Sequence, residues 1–237
     1  RELENTVNAL KVFAEAKLPI ARQRFHGDTF QHMLKRWNSQ RRGGYSYRAE
    51  SIALAEPNDG PPSLAELDAW WARFCVVYEQ LVPVAEEGDI KLVIHPSDSP
   101  LPDTPFGGLG FHKVIDAFPS RQVGYLYCCG TRAEAGGLPL VLDEVHNYGR
   151  KGRIFMVHLR NVRGSFATAG AFEETLLDDG DMNMGKILLE LEKVGFDGCI
   201  NPDHIPGLGG DDGVLGRGMA YSVGYIKGLF AMLAAVK

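Results

Sequence analysis

Short apolar runs of four to six residues punctuate this chain, each followed by polar or Gly-rich sequence: KLVI before His95, VGYLY before Cys128, RIFMV before His158 and DGCINP before Asp203. Hydrophobicity that is nearly continuous rather than alternating predicts strands buried on both faces, as in a parallel sheet. LPIARQRF, ending at Phe25, reads as a further strand with Arg22 and Arg24 on one of its faces. Between the runs, apolar residues return at helical spacing. Leu3, Val7, Leu10, Phe13 and Ala14 predict a helix over 2–16, and Met184, Ile187, Leu188, Leu191 and Val194 predict another, ended by Gly195. Ser63 with Glu66 three residues later forms a capping box for a long helix over 63–87, with Pro83 bending its last turns. Shorter helices are expected around 111–118, 138–148 and 217–236. Residues 26–62 and the stretch RNVRGSFATAGAFEETLLDDGD read as connections.

Strands that alternate with helices argue for right-handed βα units and a parallel sheet. An open dinucleotide-binding sheet would carry a Gly-rich turn directly after its first strand, and none is present; the GGLG at Gly107 follows a loop. A (β/α)8 TIM-type barrel brings all strand carboxyl ends to one mouth, so residues distant in sequence meet there. The expected fold class is therefore α/β, a single barrel domain over 1–237. About five strands are legible where such a barrel needs eight. Roughly three βα units are thus expected to be lacking at the amino end, through truncation or through an incomplete barrel with an open edge.

Composition narrows the function classes. With 237 residues, 45% hydrophobic and 23% charged, the chain can bury one sizeable core. A net charge of −5, with RRG at Arg41 as the densest basic patch, offers nothing like a nucleic-acid stripe. No uninterrupted apolar stretch reaches the roughly 18–20 residues of a membrane span, and no leader pattern opens the chain. Cys75, Cys128, Cys129 and Cys199 lie in helical or strand-like segments, which suits a reducing cytoplasm. Cys75 and Cys199 are expected to be packing residues, and Trp70 and Trp71 core or interface.

Two imidazoles, one sulfur and one carboxylate at four strand ends form a donor set for a divalent first-row metal. A single strand-end histidine is more often a hydrogen-bonded structural group, but four donor types on successive strand ends favour a metal site. His26, Asp28 and the Arg41–Arg48 cluster read equally as solvated loop or active-site lid. The acidic pairs at Asp178 and Asp211 read as loop or cap carboxylates, and His32, His112 and His146 as surface or satisfied groups.

The stretches KLVIHPSDSP, LYCCGT, VHLRN, NPDH and GYIKGL, in this order, resemble the mannonate dehydratase family of the xylose-isomerase-like barrel group; the likeness is strong from about Leu81 onward. The resemblance implies a metal-dependent hydro-lyase that converts D-mannonate to 2-keto-3-deoxy-D-gluconate. It implies a divalent ion, manganese first and iron, cobalt, magnesium or zinc as alternatives, held by His95, Cys128, His158 and Asp203. It also implies His204, Asp98 and, more distantly, Tyr221 as catalytic groups, with Arg160 and Asn161 at the substrate; on chemical grounds Arg22, Arg24 or Arg160 is expected to pair with the substrate carboxylate in a bidentate manner. The family pattern selects Cys128 over Cys129, and strand alternation turns Cys129 away. The chain departs from the family in having Ile205 and Pro206 after the Asp-His pair, where many members have Gly-Arg. Further expectations are a small sugar-acid ligand, no nucleic-acid or membrane partner, and a homo-oligomer, a dimer first. The alternatives are a sugar isomerase or epimerase on the same barrel, against which the thiolate and the scarcity of strand-end Glu argue, and a non-catalytic sugar-acid-binding remnant.

Overall fold

The computed structural model describes residues 1–24, 35–51, 63–96, 109–211 and 216–236. Five parallel strands form one sheet in the order β1 (Ile20–Arg22), β4 (Lys91–Ile94), β5 (Val123–Cys128), β6 (Ile154–Leu159) and β9 (Cys199–Pro202). These are the five apolar runs of the sequence. Helices α1 (Glu2–Glu15) and α2 (Leu64–Glu87) precede β1 and β4, and α3 (Leu109–Ala117), α4 (Cys129–Gly149), α6 (Met184–Lys193) and α7 (Gly216–Ala235) cover the rest. β5 is buried at every position. Its Val123, Tyr125 and Tyr127 share a core with Val157 and Leu159 of β6, Val141 and Val145 of α4, and Ile187, Leu188 and Leu191 of α6. A smaller cluster, including Leu10, Leu81, Ala85 and Leu92, fastens α1 and α2 to β4. The capping box forms as expected: Ser63 accepts from the Glu66 amide and Glu66 accepts from the Ser63 amide. Pro83 lies inside α2, which continues to Glu87.

A second, four-stranded antiparallel sheet corrects the sequence reading. Its order is β2 (Lys35–Gln40), β3 (Ser46–Ser51), β8 (Ala171–Thr175) and β7 (Asn161–Ser165). Both stretches read as connections contribute to it, with a one-turn helix α5 (Phe166–Ala169) between β7 and β8. Its strands are polar because one face is occupied by ion pairs instead of apolar core. The barrel expectation holds only in part. Among the described residues the parallel sheet is an open half-barrel with β1 and β9 at its edges, so a closed eight-stranded barrel is not what these residues form.

Other differences follow from that edge. Cys199, expected to pack, is exposed, since it starts the edge strand β9. Among the described residues α7 is, by length and composition, the one helix apolar enough to cross a membrane, a property the run-by-run reading missed; its Ile226 and Leu233 belong to the main core. His112 and His146 are satisfied, by Tyr148 and Glu190.

Register within the parallel sheet carries the functional geometry. Tyr125 pairs with Ile154 but Leu126 pairs with Met156, so Phe155 is an extra, bulged residue in β6. The bulge sets Cys128 directly beside His158; without it Cys128 would face Val157. Gly124 makes the bulge fit, because a Cβ there would lie 2.5 Å from both the Arg153 carbonyl oxygen and the Phe155 ring.

Candidate metal centre

β4, β5, β6 and β9 are consecutive in the sheet, and their carboxyl ends present His95, Cys128, His158 and Asp203. One ligand atom from each lies within 4.8 Å of the others. All four sit inside: Cys128 is fully buried, His95 nearly so, and the His158 and Asp203 side chains are 13% and 18% exposed. The imidazoles of His95 and His158 tilt against each other with ring centroids 5.4 Å apart.

Cys128 ends β5 and caps α4. Its sulfur accepts from the Thr131 amide at 3.5 Å and from the Thr131 hydroxyl at 3.3 Å. Burial alone would push the thiol up. The Arg160 guanidinium and the imidazoles of His95 and His158 outweigh burial and hold it well below its ordinary value, so the thiolate is the favoured form. Cys129, one residue on, joins the apolar core and is pushed up by burial and by its charged neighbour. The Nδ1 of His158 is buried without a hydrogen bond, although Asp203 Oδ2 lies 3.4 Å away. Burial opposes its charge, but Asp203 and Cys128 lift its pKa to about 9. Asp203 is held below the carboxylate range despite burial, by His158, His204 and Arg160. Opposed charges packed this closely, with an orphaned ring nitrogen among them, fit a divalent cation as the missing partner.

Around the donors lies a lattice of charges that the sequence did not announce. Arg160 is 2% exposed, and its guanidinium meets Glu134 at 2.6 Å, Glu174 at 3.3 Å, the Thr131 hydroxyl at 3.0 Å and Asp203 at 3.5 Å. Gly130 lets it approach: a Cβ there would fall 2.3 Å from the Arg160 Cγ. Arg48 on β3 donates to the same oxygen of Glu174 at 2.8 Å and to Glu134 at 2.8 Å, and its guanidinium lies over the Phe172 ring. His204 follows Asp203 with φ +44°, a left-handed conformation that costs a residue bearing a Cβ about 1–2 kcal/mol. Its Nδ1 bonds Glu174 Oε1, while its Nε2 lies 3.7 Å from Asp203 Oδ2. Burial would raise Glu174, but His204, Arg160 and Arg48 bring it down to about 2.

The remaining sequence candidates divide. Arg22 and Arg24 are exposed at the carboxyl end of β1, where Arg22 pairs in register with Val93, two residues before His95. Arg160, expected at a substrate carboxylate, instead meets the protein's own carboxylates Glu134, Glu174 and Asp203. Asn161, also expected at substrate, uses its whole amide within the protein: Nδ2 donates to the Leu177 and Met182 carbonyls of the 176–182 loop, and Oδ1 accepts from the Met182 amide and from that of Val162 beside it. Tyr221 packs with Tyr45, Tyr47 and Leu176 under the antiparallel sheet, and burial with the nearby Asp178 carboxylate raises its hydroxyl above the ordinary range. Asp98, His26, Asp28 and His32 lie outside the described residues. Asp178 pairs with Arg42, and Asp211 accepts from the Arg217 amide at the start of α7. Glu174 and Glu134 are the additions that sequence reading missed, and Arg48, read there as part of a cluster in a loop or lid, lies on β3 and bonds both.

An open half-barrel with a mixed nitrogen, sulfur and oxygen donor set at its strand tips is an α/β fold with a candidate site for a divalent metal. Residues 64–237 match the family model described as D-mannonate dehydratase (UxuA), and the chain belongs to that family. It is 34% identical over 167 residues to the mannonate dehydratase of Geobacillus thermodenitrificans, a match covering 65% of this chain and 44% of that protein. The chain spans about half the length of the curated relatives it matches. Among solved structures, a mannonate dehydratase from Streptococcus suis serotype 2 superposes with a TM-score of 0.80 at 23% identity, covering 99% of this chain and 71% of that one. A D-tagatose 3-epimerase-like protein superposes at 0.57 and 18% identity, covering 98% of this chain and 70% of that one. Both likenesses speak to the fold alone.

Proposed function

We propose that this chain carries the metal-binding part of a hydro-lyase that removes water from D-mannonate to give 2-keto-3-deoxy-D-gluconate. The observation that carries this reading is the convergence of His95, Cys128, His158 and Asp203 within 4.8 Å, beside His204, in a chain of this family. These four residues would hold the ion, manganese by preference, with iron, cobalt, magnesium or zinc as alternatives that the mixed donor set also accommodates. When bound, a divalent ion supplies Lewis-acid stabilisation of the negative charge that develops on substrate oxygen as a proton leaves the carbon beside the carboxylate.

The protein's own residues do the rest. His204, with Nδ1 engaged, has Nε2 for taking or giving the proton. Arg22 and Arg24, at the end of β1, orient the substrate carboxylate through their forked donors. Tyr221 and Asp98 remain catalytic candidates in this reading, Tyr221 as a hydroxyl partner in proton transfer. Arg160 serves as the cation that favours the Cys128 thiolate, and Asn161 by fixing the 176–182 loop. The complete (β/α)8 barrel, with the further strands between the β1 and β9 edges, belongs to the same proposal. So does a homo-oligomer that shields those edges. A cytoplasmic setting suits the four unpaired cysteines.

The test is direct. Protein loaded with manganese and given D-mannonate is assayed for the 2-keto-3-deoxy acid, in parallel with His204→Asn. Product from the unaltered chain, none from the variant, and equal metal content in both are expected. Interconversion of pentoses or hexoses without 2-keto-3-deoxy acid would transfer the chain to isomerase chemistry. Loss of metal from His204→Asn would remove the histidine from proton transfer.

A further inference from the structure

Glu174 lies far from the donors in sequence and carries no motif, yet three cationic or proton-bearing groups from three elements converge on one of its oxygens. Arg48 on β3 reaches it at 2.8 Å, Arg160, just beyond β6, at 3.3 Å, and the Nδ1 of His204, just beyond β9, completes the set. β8, which bears Glu174, is an interior strand, paired on one side to β3 and on the other to β7, with Val162 opposite Glu174 itself. The β7 ladder at Glu174, the β3 ladder that reaches Glu173 beside it, and two arginines at the tip leave the carboxylate little freedom. His204 needs such a fixed partner. Its backbone is left-handed and its side chain is 42% exposed, so neither local conformation nor packing alone sets the ring's direction. A carboxylate accepting the Nδ1 proton fixes both tautomer and orientation, and leaves Nε2 directed to the side where Asp203 Oδ2 lies 3.7 Å away.

We propose that Glu174 is a positioning residue for His204: it accepts the Nδ1 proton, holds the ring against β8, and thereby presents Nε2 to the substrate. The antiparallel sheet is then part of the catalytic apparatus, since it delivers Glu174 and, through Arg48, holds that carboxylate in place. The inference rests on the proposed proton-transfer role of His204 where turnover is concerned, and on geometry alone where the ring's orientation is concerned.

Two substitutions in the full chain separate positioning from charge balance. Glu174→Asp keeps a negative charge before Arg48 and Arg160 but withdraws the oxygen from His204 by one methylene. Glu174→Gln keeps the length and removes the charge. In the unaltered chain loaded with zinc, a diamagnetic ion that leaves nearby protons observable, nuclear magnetic resonance is expected to show a His204 Nδ1 proton that is far downfield and slow to exchange. This signal should be lost in Glu174→Asp and move upfield in Glu174→Gln. With D-mannonate, kcat should fall by about 10- to 100-fold in both variants, the range for removing a group that orients a functional imidazole, with KM and manganese content unchanged. A signal that survives Glu174→Asp, or a rise in KM in place of a fall in kcat, overturns the proposal. If Glu174→Gln does not fold, Glu174→Asp decides alone. If the unaltered chain makes no 2-keto-3-deoxy acid, the proposed function fails, while the Nδ1 signal still answers whether Glu174 holds the ring.

Discussion

The parallel sheet offers its chemistry from the tips of buried strands, whereas the antiparallel sheet offers it from the faces of strands that carry more charge than apolar surface. At the tips, each donor's place is set locally: an apolar run buries itself, ends, and leaves its next residue at the rim, and one bulge at Phe155 corrects the register of Cys128 with His158. On the antiparallel sheet a local pair such as Arg48 with Glu50 is joined by partners from far along the chain. Arg48 finds Glu174 126 residues away and Glu134 86 residues away, and each burial is tolerable only because the partner is present. Tip chemistry should therefore fail one function at a time, while lattice chemistry should fail by shifting several groups together.

The sharpest break of that contrast is at Cys128. Cys128→Ser nearly preserves volume but replaces a favoured thiolate with a neutral hydroxyl, so the donor set loses its sulfur and one negative charge. Manganese bound per chain, measured by elemental analysis after dialysis, should drop by more than about tenfold, since even partners one step removed from a metal are worth 10- to 100-fold in affinity. Circular dichroism should report an unchanged fold. Full metal content in the serine variant would mean that the four tips do not act as one site.

The second break tests the lattice. Gly130→Ala puts a methyl 2.3 Å from the Arg160 Cγ and 2.5 Å from its Nε, and Arg160 cannot move aside without leaving Glu134, Glu174 and Asp203. Overpacking of this kind costs about 1–3 kcal/mol, which should appear as a lower denaturant midpoint with an unchanged slope. Gly224→Ala is the control, for that position in α7 has nothing within 4 Å and gains helix propensity. Equal losses at both glycines would show that the Arg160 lattice contributes nothing particular.

The same contrast explains what the sequence disclosed. The five parallel strands, helices α1, α2, α3, α6 and α7, the second part of α4 and the Ser63 cap follow from apolar runs, periodicity and a three-residue spacing, all local signals, whereas α5 and the start of α4 at Cys129 fall where connections were read. The donors were legible because each sits beside such a run. The antiparallel sheet was not. Its strands, KRWNSQ, SYRAES, NVRGS and AFEET, hide their inward face with ion pairs, so hydrophobic alternation is weak. One signal could have found it: Arg36, Arg41, Arg42 and Arg48 crowd one stretch, while Glu173, Glu174, Asp178 and Asp179 crowd another. Three of those arginines pair across: Arg41 with Glu173, Arg42 with Asp178 and Arg48 with Glu174. The roles given to Arg160 and Asn161 were harder to foresee, because a polar residue next to a strand tip looks the same whether it faces the mouth or the protein's own polar groups.

The smallest expected effect is a difference between two acid titrations, and it asks whether the lattice holds together through Glu174 or through Glu134. Facing Glu174 are Arg48 from β3, Arg160 from the end of β6 and His204 from beyond β9, with Glu134 of α4 sharing both arginines. Glu174 is held at about 2 in the folded chain against 4.5 ordinarily, so its contribution is complete above pH 4.5 and disappears as pH falls through about 2. Glu134 moves the other way, raised by burial in spite of Arg160 and Arg48, so it takes up its proton first and leaves both arginines to Glu174. Thermal midpoints of the metal-free chain and of Glu174→Gln should therefore stay a constant distance apart above pH 4.5 and converge between pH 4.5 and 2. A separation that stays flat through that range would mean that the folded carboxylate gains nothing from its neighbours, and would assign the cohesion of the lattice to Glu134.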